Sequence, residues 1–349
     1  MKVLLHTSHQ SWVEGSGVGR AIYHQKKALE KNGIEYTLNP KDDYDVCHIN
    51  TIFLTSFIMS LRAKARGKKV VYHAHSTKED FCRSFIGSNL LAPLFKFWIS
   101  RCYNRGNIIL TPTEYSKSLL EKYHLKREIY SVSNGIDLDY FKRDEEAGRR
   151  FREKYGIKDG EKVIISAGLY IERKGITDFV ELAKRLPQYK FIWFGYTNLR
   201  AVPKKIRDAV RTELPNLFFP GYISRDEMKE AYSGADLFLF MSHEETEGIV
   251  LLESFAMKTP VLIRDIPIYE KWLTEGKNVY KAKTNAEFEE KISAILEGKA
   301  EDLTETAYLE AEARSIENVG KRLVSCYEYV LGKGPAPKTE AETFADFVK

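Results

Sequence analysis

Cysteine is scarce in this chain of 349 residues, and the four that occur are far apart: Cys47, Cys82, Cys102 and Cys326. They form no CxxC pair and no spacing typical of zinc ligands, which excludes a disulfide scaffold and a cysteine-based metal centre. In a chain of this size such cysteines are typical of reduced core thiols, so we expect a cytosolic protein.

Long apolar runs are absent as well. No stretch of about 20 uninterrupted apolar residues occurs, so the sequence predicts no membrane-spanning helix. The apolar part of the opening MKVLLHTSHQ is too short for a signal peptide. With 43% hydrophobic and 30% charged residues, the composition excludes a disordered or collagen-like chain, and the length predicts about two domains.

Net charge is small but unevenly distributed. The 54 basic and 49 acidic side chains leave a net charge of +5. Residues 1–150 hold 24 basic and 16 acidic side chains, whereas the remainder holds 30 and 33. The basic first half indicates an anionic partner, for which a membrane surface, a nucleic acid and a phosphorylated substrate are candidates.

Short apolar segments alternate with helical patterns, and the pattern restarts after Arg150. The predicted strands are Val3–His6, Val46–Asn50, Val70–His75, Ile108–Pro112, Ile129–Ser133, Val163–Ala167, Phe191–Phe194, Leu217–Phe219, Leu237–Phe240 and Val261–Ile263. The predicted helices include Arg20–Lys31, Thr177–Leu186, Arg225–Ser233 and Glu287–Leu296. This alternation predicts an α/β protein with two doubly wound, Rossmann-like domains and a ligand cleft between them.

The charged stretch Asp144–Lys158 is the expected junction between the domains. We therefore expect an N-terminal domain over residues 1–150 and a C-terminal domain over residues 151–318. Residues 319–332 are expected to form a terminal helix that packs on the N-terminal domain, and residues 333–349 have the composition of a flexible tail.

Two glycine-containing loops each follow a predicted strand and precede a predicted helix. Gly15-Ser16-Gly17-Val18-Gly19-Arg20 allows a ligand to approach the backbone, with an ordinary tight turn as the alternative. The loop Gly168–Gly175 places Arg173 and Lys174 at the carboxyl end of a strand. Two adjacent cations there would hold a diphosphate, with a solvated charged loop as the alternative.

An acidic loop follows a later strand and leads into a helix that starts near Gly248. Glu245 lies in the loop, and Glu253, eight residues later, lies on the second turn of the predicted helix. The first amide groups of this helix, at Gly248, Ile249 and Val250, suit an anion. Carboxylates suit sugar hydroxyls because each accepts several hydrogen bonds. Compensation of the helix dipole would explain the first acids but not Glu253.

Together these motifs resemble the family 4 retaining, nucleotide-sugar-dependent glycosyltransferases, which have the GT-B fold. The resemblance covers about residues 1–330, and its strongest part is the E-x7-E pattern of Glu245 and Glu253. The order of the motifs adds to it: the glycine-rich loop, Asn134-Gly135-Ile136-Asp137, Arg173-Lys174-Gly175, Phe219-Pro220-Gly221-Tyr222 and then E-x7-E.

The resemblance implies a role for each matching position. Arg173 and Lys174 would neutralise the leaving diphosphate, Glu245 would contact the transferred sugar, and His75 would be the active-site histidine at a strand end. The implied donor-binding positions are Gly17, Gly168, Gly221, Tyr222, Gly248, Ile249, Val250 and, for the ribose, Glu253. Neither a metal nor another cofactor is implied, because the cations and the helix N-terminus stabilise the leaving group. Departures from the family pattern at Leu169, Lys258 and Arg264-Asp265 bear on which sugar is bound.

Two segments of the first half mix apolar with basic residues. Thr51–Lys69 is typical of an ordinary helix that covers a sheet. Phe85–Arg105 has more apolar residues than one helical stripe needs, which favours contact with an anionic membrane over a plain surface helix. The predicted acceptor or membrane positions are Ser16, Arg20, Phe95, Lys96, Trp98 and Arg101.

Three segments also resemble a narrower group, the bacterial transferases that add a second hexose to monoglucosyl-diacylglycerol: His73–Phe81, Glu244–Val250 and Arg264–Pro267. This resemblance implies UDP-glucose or UDP-galactose as the donor and a diacylglycerol glycolipid, the anchor of lipoteichoic acid, as the product. It also implies a peripheral protein on the cytoplasmic face of the cell membrane.

Other functions stay open from the sequence. The acceptor could be a phosphoinositide or a soluble glycan, and a nucleotide-sugar epimerase would share the two-domain architecture without needing an acceptor. A non-catalytic membrane-binding or RNA-binding protein is disfavoured by the placement of the two cations and two glutamates. No nucleic acid partner is expected, because the aromatic residues lie in strands or in the lipid-like segment rather than on a basic sheet.

Overall fold

The computed structural model describes residues 1–8 and 16–339. Gly15 of the glycine-rich loop and residues 340–349 of the predicted tail lie outside the described residues. The chain forms two compact units. The first comprises Met1–Phe81, Leu91–Asp137 and the chain from Ala313 onward, and the second comprises Cys82–Leu90 and Leu138–Glu312.

The first unit is built on a parallel sheet of six strands in the order β2-β1-β3-β4-β5-β6. Its strands are β1 (Lys2–His6), β2 (Glu35–Thr37), β3 (Val46–Ile49), β4 (Lys69–His73), β5 (Ile108–Thr111) and β6 (Ile129–Ser131). Its helices are α1 (Gly17–Lys31), α2 (Leu54–Ala65), α3 (Lys78–Phe81), α4 (Ser88–Tyr103, from Leu91 onward) and α5 (Glu114–Glu121). Two separate clusters of apolar side chains pack against the sheet, as expected when both faces are covered.

The second unit contains another parallel sheet of six strands, in the order β12-β11-β10-β7-β8-β9. Its strands are β7 (Val163–Ala167), β8 (Lys190–Phe194), β9 (Leu217–Gly221), β10 (Leu237–Phe240), β11 (Val261–Arg264) and β12 (Tyr280–Ala282). Its helices are α6 (Glu145–Lys154), α7 (Ile176–Arg185), α8 (Lys204–Val210), α9 (Arg225–Gly234), α10 (Ile249–Ala256), α11 (Asn285–Leu296) and α12 (Thr304–Ala313), with 3₁₀ turns at Glu172–Lys174, Leu199–Ala201 and Pro267–Tyr269.

The expected domain boundary at residue 150 falls inside α6, and the unit boundary lies between Asp137 and Leu138 instead. Gly148 on α6 packs so closely on α9 that a Cβ there would lie 2.8 Å from Ser233 O. This contact between backbones attaches α6 to the second unit, although its composition is that of a charged linker.

The final described helix, α13 (Ile316–Val330), belongs to the first unit and packs on α1. A Cβ at Gly320 would lie 2.6 Å from Ala28 O, so the two helices touch through their backbones. Asn32 Nδ2 strengthens the contact by donating hydrogen bonds to Ala28 O at 2.8 Å and to Glu317 O at 3.1 Å.

All ten predicted strands are present, and their ends differ from the predictions by at most two residues. The edge strands β2 and β12 are not predicted, because three residues such as Glu35-Tyr36-Thr37 carry too little apolar pattern to stand out. The predicted site residues follow β4, β7 and β10. They therefore lie at the carboxyl edges of the two parallel sheets.

Candidate functional site

The carboxyl ends of β7 and β10 bring two cations onto one carboxylate. Arg173 and Lys174 lie in the turn after β7, and Glu245 lies in the loop after β10. Lys174 Nζ donates a hydrogen bond to Glu245 Oε1, and Arg173 Nη1 lies 3.6 Å from Glu245 Oε2. Arg173 Nη1 also donates to Glu244 O at 2.7 Å. The residues predicted to bind the diphosphate and the sugar are thus in direct contact.

The carboxylate of this cluster stays ionised although it is buried. Burial opposes ionisation of Glu245, but the positive charges of Lys174 and Arg173 outweigh it and hold the pKa of the Glu245 carboxyl below its ordinary value. Two cationic side chains contact this one carboxylate in a site of low exposure.

The start of α10 adds partial positive charge beside the cluster. Gly248 is the N-cap and has a φ of +88°, in the left-handed region that favours glycine. A Cβ at Gly248 would lie 3.0 Å from the Phe240 ring, and Lys174 Nζ lies 5.8 Å from the centroid of the same ring. The amide groups of Ile249 and Val250 belong to the first turn, which has no intrahelical acceptors.

Glu253 lies on the second turn of α10, as the spacing predicts, and is fully buried. Its Oε2 lies 3.1 Å from the hydroxyl of Tyr232 on α9. The same hydroxyl lies 3.1 Å from Val250 O. Tyr232 therefore ties the carboxylate to the first turn of the helix, and the spacing of the acidic residues gives no sign of this partner.

The predicted donor-binding glycines lie at the carboxyl edge of the same sheet. Gly195, after β8, donates its N–H to Gly221 O at 2.9 Å, and a Cβ on Gly195 would lie 1.9 Å from Gly168 O. A Cβ on Gly168 would contact the Lys174 side chain at 3.4 Å. Tyr222 follows with its ring 61% exposed. Gly195 is a position that the motifs miss, and its backbone approach requires glycine.

A second network, also absent from the predictions, braces the two loops that carry the cluster. Asp178 Oδ2 on α7 accepts a hydrogen bond from Arg264 Nη2 at 2.6 Å and lies 3.2 Å from His243 Nε2. His243 N–H donates to Arg173 O at 2.7 Å, and Arg264 Nε donates to Met241 O at 3.0 Å. Asp178 and Arg264 are 86 residues apart, so no local pattern links them.

His75 follows β4 in the first unit and joins a polar cluster there. Its Nε2 lies 2.9 Å from Asn50 Oδ1, and its ring stacks on that of His73 with centroids 4.1 Å apart. The amides of Asn50 and Gln25 pair reciprocally at 2.8 and 2.9 Å. Burial lowers the pKa of His75 to about 3, so the ring is neutral at physiological pH.

The described part of the glycine-rich loop begins at Ser16 and serves as the start of α1. Ser16 Oγ accepts the N–H of Gly19 at 3.4 Å, which makes it the N-cap. Gly17 is the first residue of the helix, and Arg20 is half-buried within the first turn. The structure thus gives Ser16 a capping role in addition to its predicted place near the acceptor.

The structure corrects the choice of membrane-facing side chains on α4. Phe95 packs against the core of the first unit, and Trp98 Nε1 donates to Ile52 O at 2.7 Å. Lys96 Nζ lies over the Tyr123 ring, 4.4 Å from its centroid. These three side chains face other residues of the first unit, which a helix apolar on most sides does not reveal.

Four other apolar side chains of α4 are exposed instead. They are 51–84% exposed: Leu90, Leu91, Leu94 and Phe97. The guanidinium of Arg101, a predicted membrane residue, lies 5.0 Å from the centroid of the Phe97 ring. An apolar patch of this kind with a cation at its border is typical of an interaction surface. We refer to these four side chains as the α4 apolar face.

No helix among the described residues is long and apolar enough to cross a bilayer. In the same part of the chain, no group of three or more His, Cys, Asp or Glu side chains is arranged to hold a metal ion. The four cysteines are free thiols, three of them buried and Cys82 half-buried.

Two family models match the chain. The model described as Glycosyltransferase Family 4 matches residues 37–140, and the model described as Glycosyl transferases group 1 matches residues 148–314. The first of these matches covers most of the first sheet, and the second covers the second sheet. Each unit therefore matches a glycosyltransferase model of its own.

Two curated proteins are similar over most of the chain. The processive diacylglycerol α-glucosyltransferase of Acholeplasma laidlawii is 43% identical over 332 residues, which cover 95% of this chain and 99% of that protein. The α-galactosylglucosyldiacylglycerol synthase of Streptococcus pneumoniae is 28% identical over 301 residues, 82% of this chain and 78% of that protein.

Solved structures are similar in fold. Anabaena HepE in complex with UDP and glucose has a TM-score of 0.75 at 14% identity, covering 94% of this chain and all of that one. Sucrose-phosphate synthase from Thermosynechococcus elongatus has a TM-score of 0.76 at 14% identity, covering 95% and 99%. These likenesses and the two parallel sheets confirm the predicted α/β class and GT-B fold.

Proposed function

Because this chain belongs to the family 4 glycosyltransferases, we propose that it transfers a hexose from UDP-glucose or UDP-galactose to monoglucosyl-diacylglycerol. The product is a dihexosyl-diacylglycerol, formed with retention of configuration and without a metal ion or other cofactor. The observation that carries the proposal is the contact of Lys174 and Arg173 with the buried Glu245. It sets two fixed cations, suited to a diphosphate, beside a carboxylate suited to sugar hydroxyls.

The proposed reaction begins as the bond between the anomeric carbon and the diphosphate oxygen breaks. The electron pair leaves with UDP, and positive charge develops on the sugar ring. Lys174, Arg173 and the N-terminus of α10 stabilise the negative charge on the diphosphate. The acceptor hydroxyl forms the new bond on the face from which UDP departs, and its proton passes to the departing phosphate oxygen. Glu245 orients the sugar through its hydroxyl groups.

The remaining donor contacts follow the same edge of the sheet. Glu253 is proposed to accept hydrogen bonds from the ribose hydroxyls, and Gly221 with Tyr222 to border the base. The first amides of α10 are proposed to bind the β-phosphate or the sugar. Support comes from the exposure of Tyr222 and from the first amide groups of α10, which have no intrahelical acceptors.

The lipid acceptor is supported by the two curated relatives, whose names both specify diacylglycerol lipids. The α4 apolar face supports a peripheral position on an anionic membrane, because it offers large apolar side chains next to Arg101. In this proposal the protein acts at the cytoplasmic face, where UDP-sugars are available.

The test is incubation of the full chain with UDP-glucose or UDP-galactose and vesicles that contain monoglucosyl-diacylglycerol, with EDTA present. We expect release of one UDP for each hexose added and an α linkage in the product by NMR. Transfer only to a soluble glycan would contradict the acceptor, and strict dependence on a divalent metal would contradict the metal-free mechanism. UDP-sugar epimerisation without transfer would contradict the reaction class.

A second candidate is processive transfer, which the name of the 43% identical relative favours. A processive enzyme would also accept diacylglycerol itself and add two sugars in succession. A parallel incubation with vesicles that contain only diacylglycerol separates the two, since an enzyme restricted to the second step leaves this lipid unchanged.

A further inference from the structure

The first unit contains a buried polar cluster that a parallel sheet does not need for its own stability. Its members come from α1, from β3 and β4 with the residues that follow them, and from α13. They are Gln25, His48, Asn50, His73, His75 and Tyr327. Five of the six are at most 2% exposed, and only His75 is partly open. Strands covered on both faces are usually apolar, so such a cluster calls for a further explanation.

Hydrogen bonds link the members of the cluster into one network. Gln25 Nε2 is a donor, and it lies 3.1 Å from His73 Nδ1, which accepts with its one lone pair. His48 Nε2 also lies 3.1 Å from His73 Nδ1. His48 Nδ1 lies 2.6 Å from the hydroxyl of Tyr327 on α13.

The orientation of the Asn50 amide in the structure sets the proton of His75. Asn50 Nδ2 donates to Gln25 Oε1 at 2.8 Å, and Asn50 Oδ1 accepts from Gln25 Nε2 at 2.9 Å. The oxygen of Asn50 thus faces His75 Nε2, 2.9 Å away. An amide oxygen only accepts, so His75 Nε2 carries the proton and Nδ1 keeps its lone pair.

We propose that Asn50, held by Gln25, is a positioning residue for His75: it fixes the tautomer in which Nδ1 can accept a hydrogen bond from a substrate hydroxyl. This inference rests on the proposed function, because that function supplies the substrate that His75 would contact. The inference adds that a sugar or acceptor hydroxyl donates the hydrogen bond and the His75 ring accepts it.

The cluster keeps His75 neutral as well as oriented. The titratable groups that face it are His73, stacked on its ring, and His48 on β3, with Tyr327 behind His48 on α13. Burial lowers the pKa of His48 to about 3, as it does for His75, and places that of His73 well below its ordinary value. The ring therefore acts as a fixed acceptor rather than as an acid.

The first test reads the tautomer directly in the unmodified full chain, labelled with ¹⁵N-histidine. The His75 resonances are assigned by their loss in His75→Gln, and long-range ¹H–¹⁵N spectra distinguish the two ring nitrogens. We expect a proton on Nε2 and an unprotonated Nδ1 that does not change between pH 5 and pH 8. A proton on Nδ1, or titration within that range, would overturn the proposal.

The second test replaces the neutral acceptor by an ionised one, Asn50→Asp. A carboxylate beside Nε2–H stabilises the imidazolium and brings the pKa of His75 up toward neutrality. Below that pKa Nδ1 is protonated and no longer accepts, so we expect kcat to fall about tenfold per pH unit on the acid side and to recover on the alkaline side. Asn50→Leu, which leaves the tautomer free, is expected to lower kcat on the order of 10-fold at all pH values.

The matched control is Asn107→Asp, which makes the same change at the other end of β4, where Asn107 Oδ1 accepts the Val70 N–H at 2.8 Å. Its pH profile should match that of the unmodified chain. An unchanged profile in Asn50→Asp with the fold intact would overturn the proposal. Absence of any transfer by the unmodified chain contradicts the proposed function instead, and the ¹⁵N spectra, which need no substrate, separate that failure from this one.

Discussion

The two units hold buried polar clusters of opposite electrical character. In the second unit, Lys174 and Arg173 contact the buried carboxylate of Glu245, whose pKa they lower. In the first unit, the rings of His48 and His73 are uncharged, because burial lowers their pKa values far below neutrality. Interior charge is costly unless it is compensated. The comparison indicates that the second unit holds paired charges in its interior, whereas the first holds neutral hydrogen-bonding groups.

The largest expected effect follows from removing the carboxylate of the charged cluster. Glu245→Ala eliminates the proposed sugar contact and removes the carboxylate that two buried cations contact, so we expect kcat for hexose transfer to fall roughly 10³-fold. Product formation on lipid vesicles measures it, with circular dichroism to verify the fold. Glu305→Ala, at an exposed glutamate paired with Lys258, is the control and should not change turnover. Near-normal turnover of Glu245→Ala would contradict the assignment.

Removing one cation should have the next largest effect. Lys174→Ala takes away one of the two cations that we propose stabilise the diphosphate in the transition state, and the expected loss in kcat is about 10²–10³-fold. The matched control is Lys205→Ala, a lysine whose side chain is 66% exposed. A rise in KM for the UDP-sugar with unchanged kcat would show instead that Lys174 contributes only to ground-state binding.

Substitutions on the α4 apolar face should have a smaller effect, and one on membrane binding. Leu94→Ser with Phe97→Ser removes two apolar side chains from the α4 apolar face. If each contributes about 1 kcal/mol on partial insertion, binding to anionic vesicles should weaken about 30-fold. Cosedimentation with vesicles measures it. Leu309→Ser, at an exposed leucine of the second unit, is the control and should bind normally. Unchanged binding of the double variant would exclude this face as the membrane contact.

The sequence predicts the architecture far better than the side-chain partners. Strands such as Val163–Ala167 and Leu237–Phe240 are predicted residue for residue, because fully buried parallel strands are continuous apolar runs. Lys174 and Glu245 are identified from motifs that occupy the ends of such strands. The direct contact between them depends on distance and burial, which sequence patterns do not give.

What the sequence misses has a common physical reason. Phe95 and Phe97 are both apolar on one helix, and only the packing of the sheet decides that Phe95 is covered and Phe97 exposed. Asn50 is a single polar residue after a strand. Its orientation depends on a hydrogen bond with Gln25, which lies 25 residues earlier in the chain. Patterns along the chain reveal which segments are buried, whereas pairings across the fold need coordinates.

The smallest effect concerns acid stability and tests the neutrality of the first unit. The folded pKa values of His48 and His75 are about 3, well below about 6.5 in an unfolded chain. Between these values the unfolded chain binds more protons, so the free energy of unfolding falls as pH falls. Each histidine contributes up to about 1.4 kcal/mol per pH unit. The pKa of Glu245 is lowered, so its loss of stabilisation begins only in more acidic solution.

Hydrogen exchange of the β4 amides between pH 6.5 and pH 5 reads the stability of this unit apart from that of the other. After correction for intrinsic exchange, the opening equilibrium should depend less steeply on pH in His75→Gln than in the unmodified chain. The expected difference is the contribution of one histidine, roughly tenfold per pH unit. His124→Gln, at an exposed histidine, should leave it unchanged. An equal pH dependence of the opening equilibrium in His75→Gln and in the unmodified chain would mean that His75 protonates in the folded state. The first unit would then contain a charged histidine, which contradicts the contrast between the two clusters.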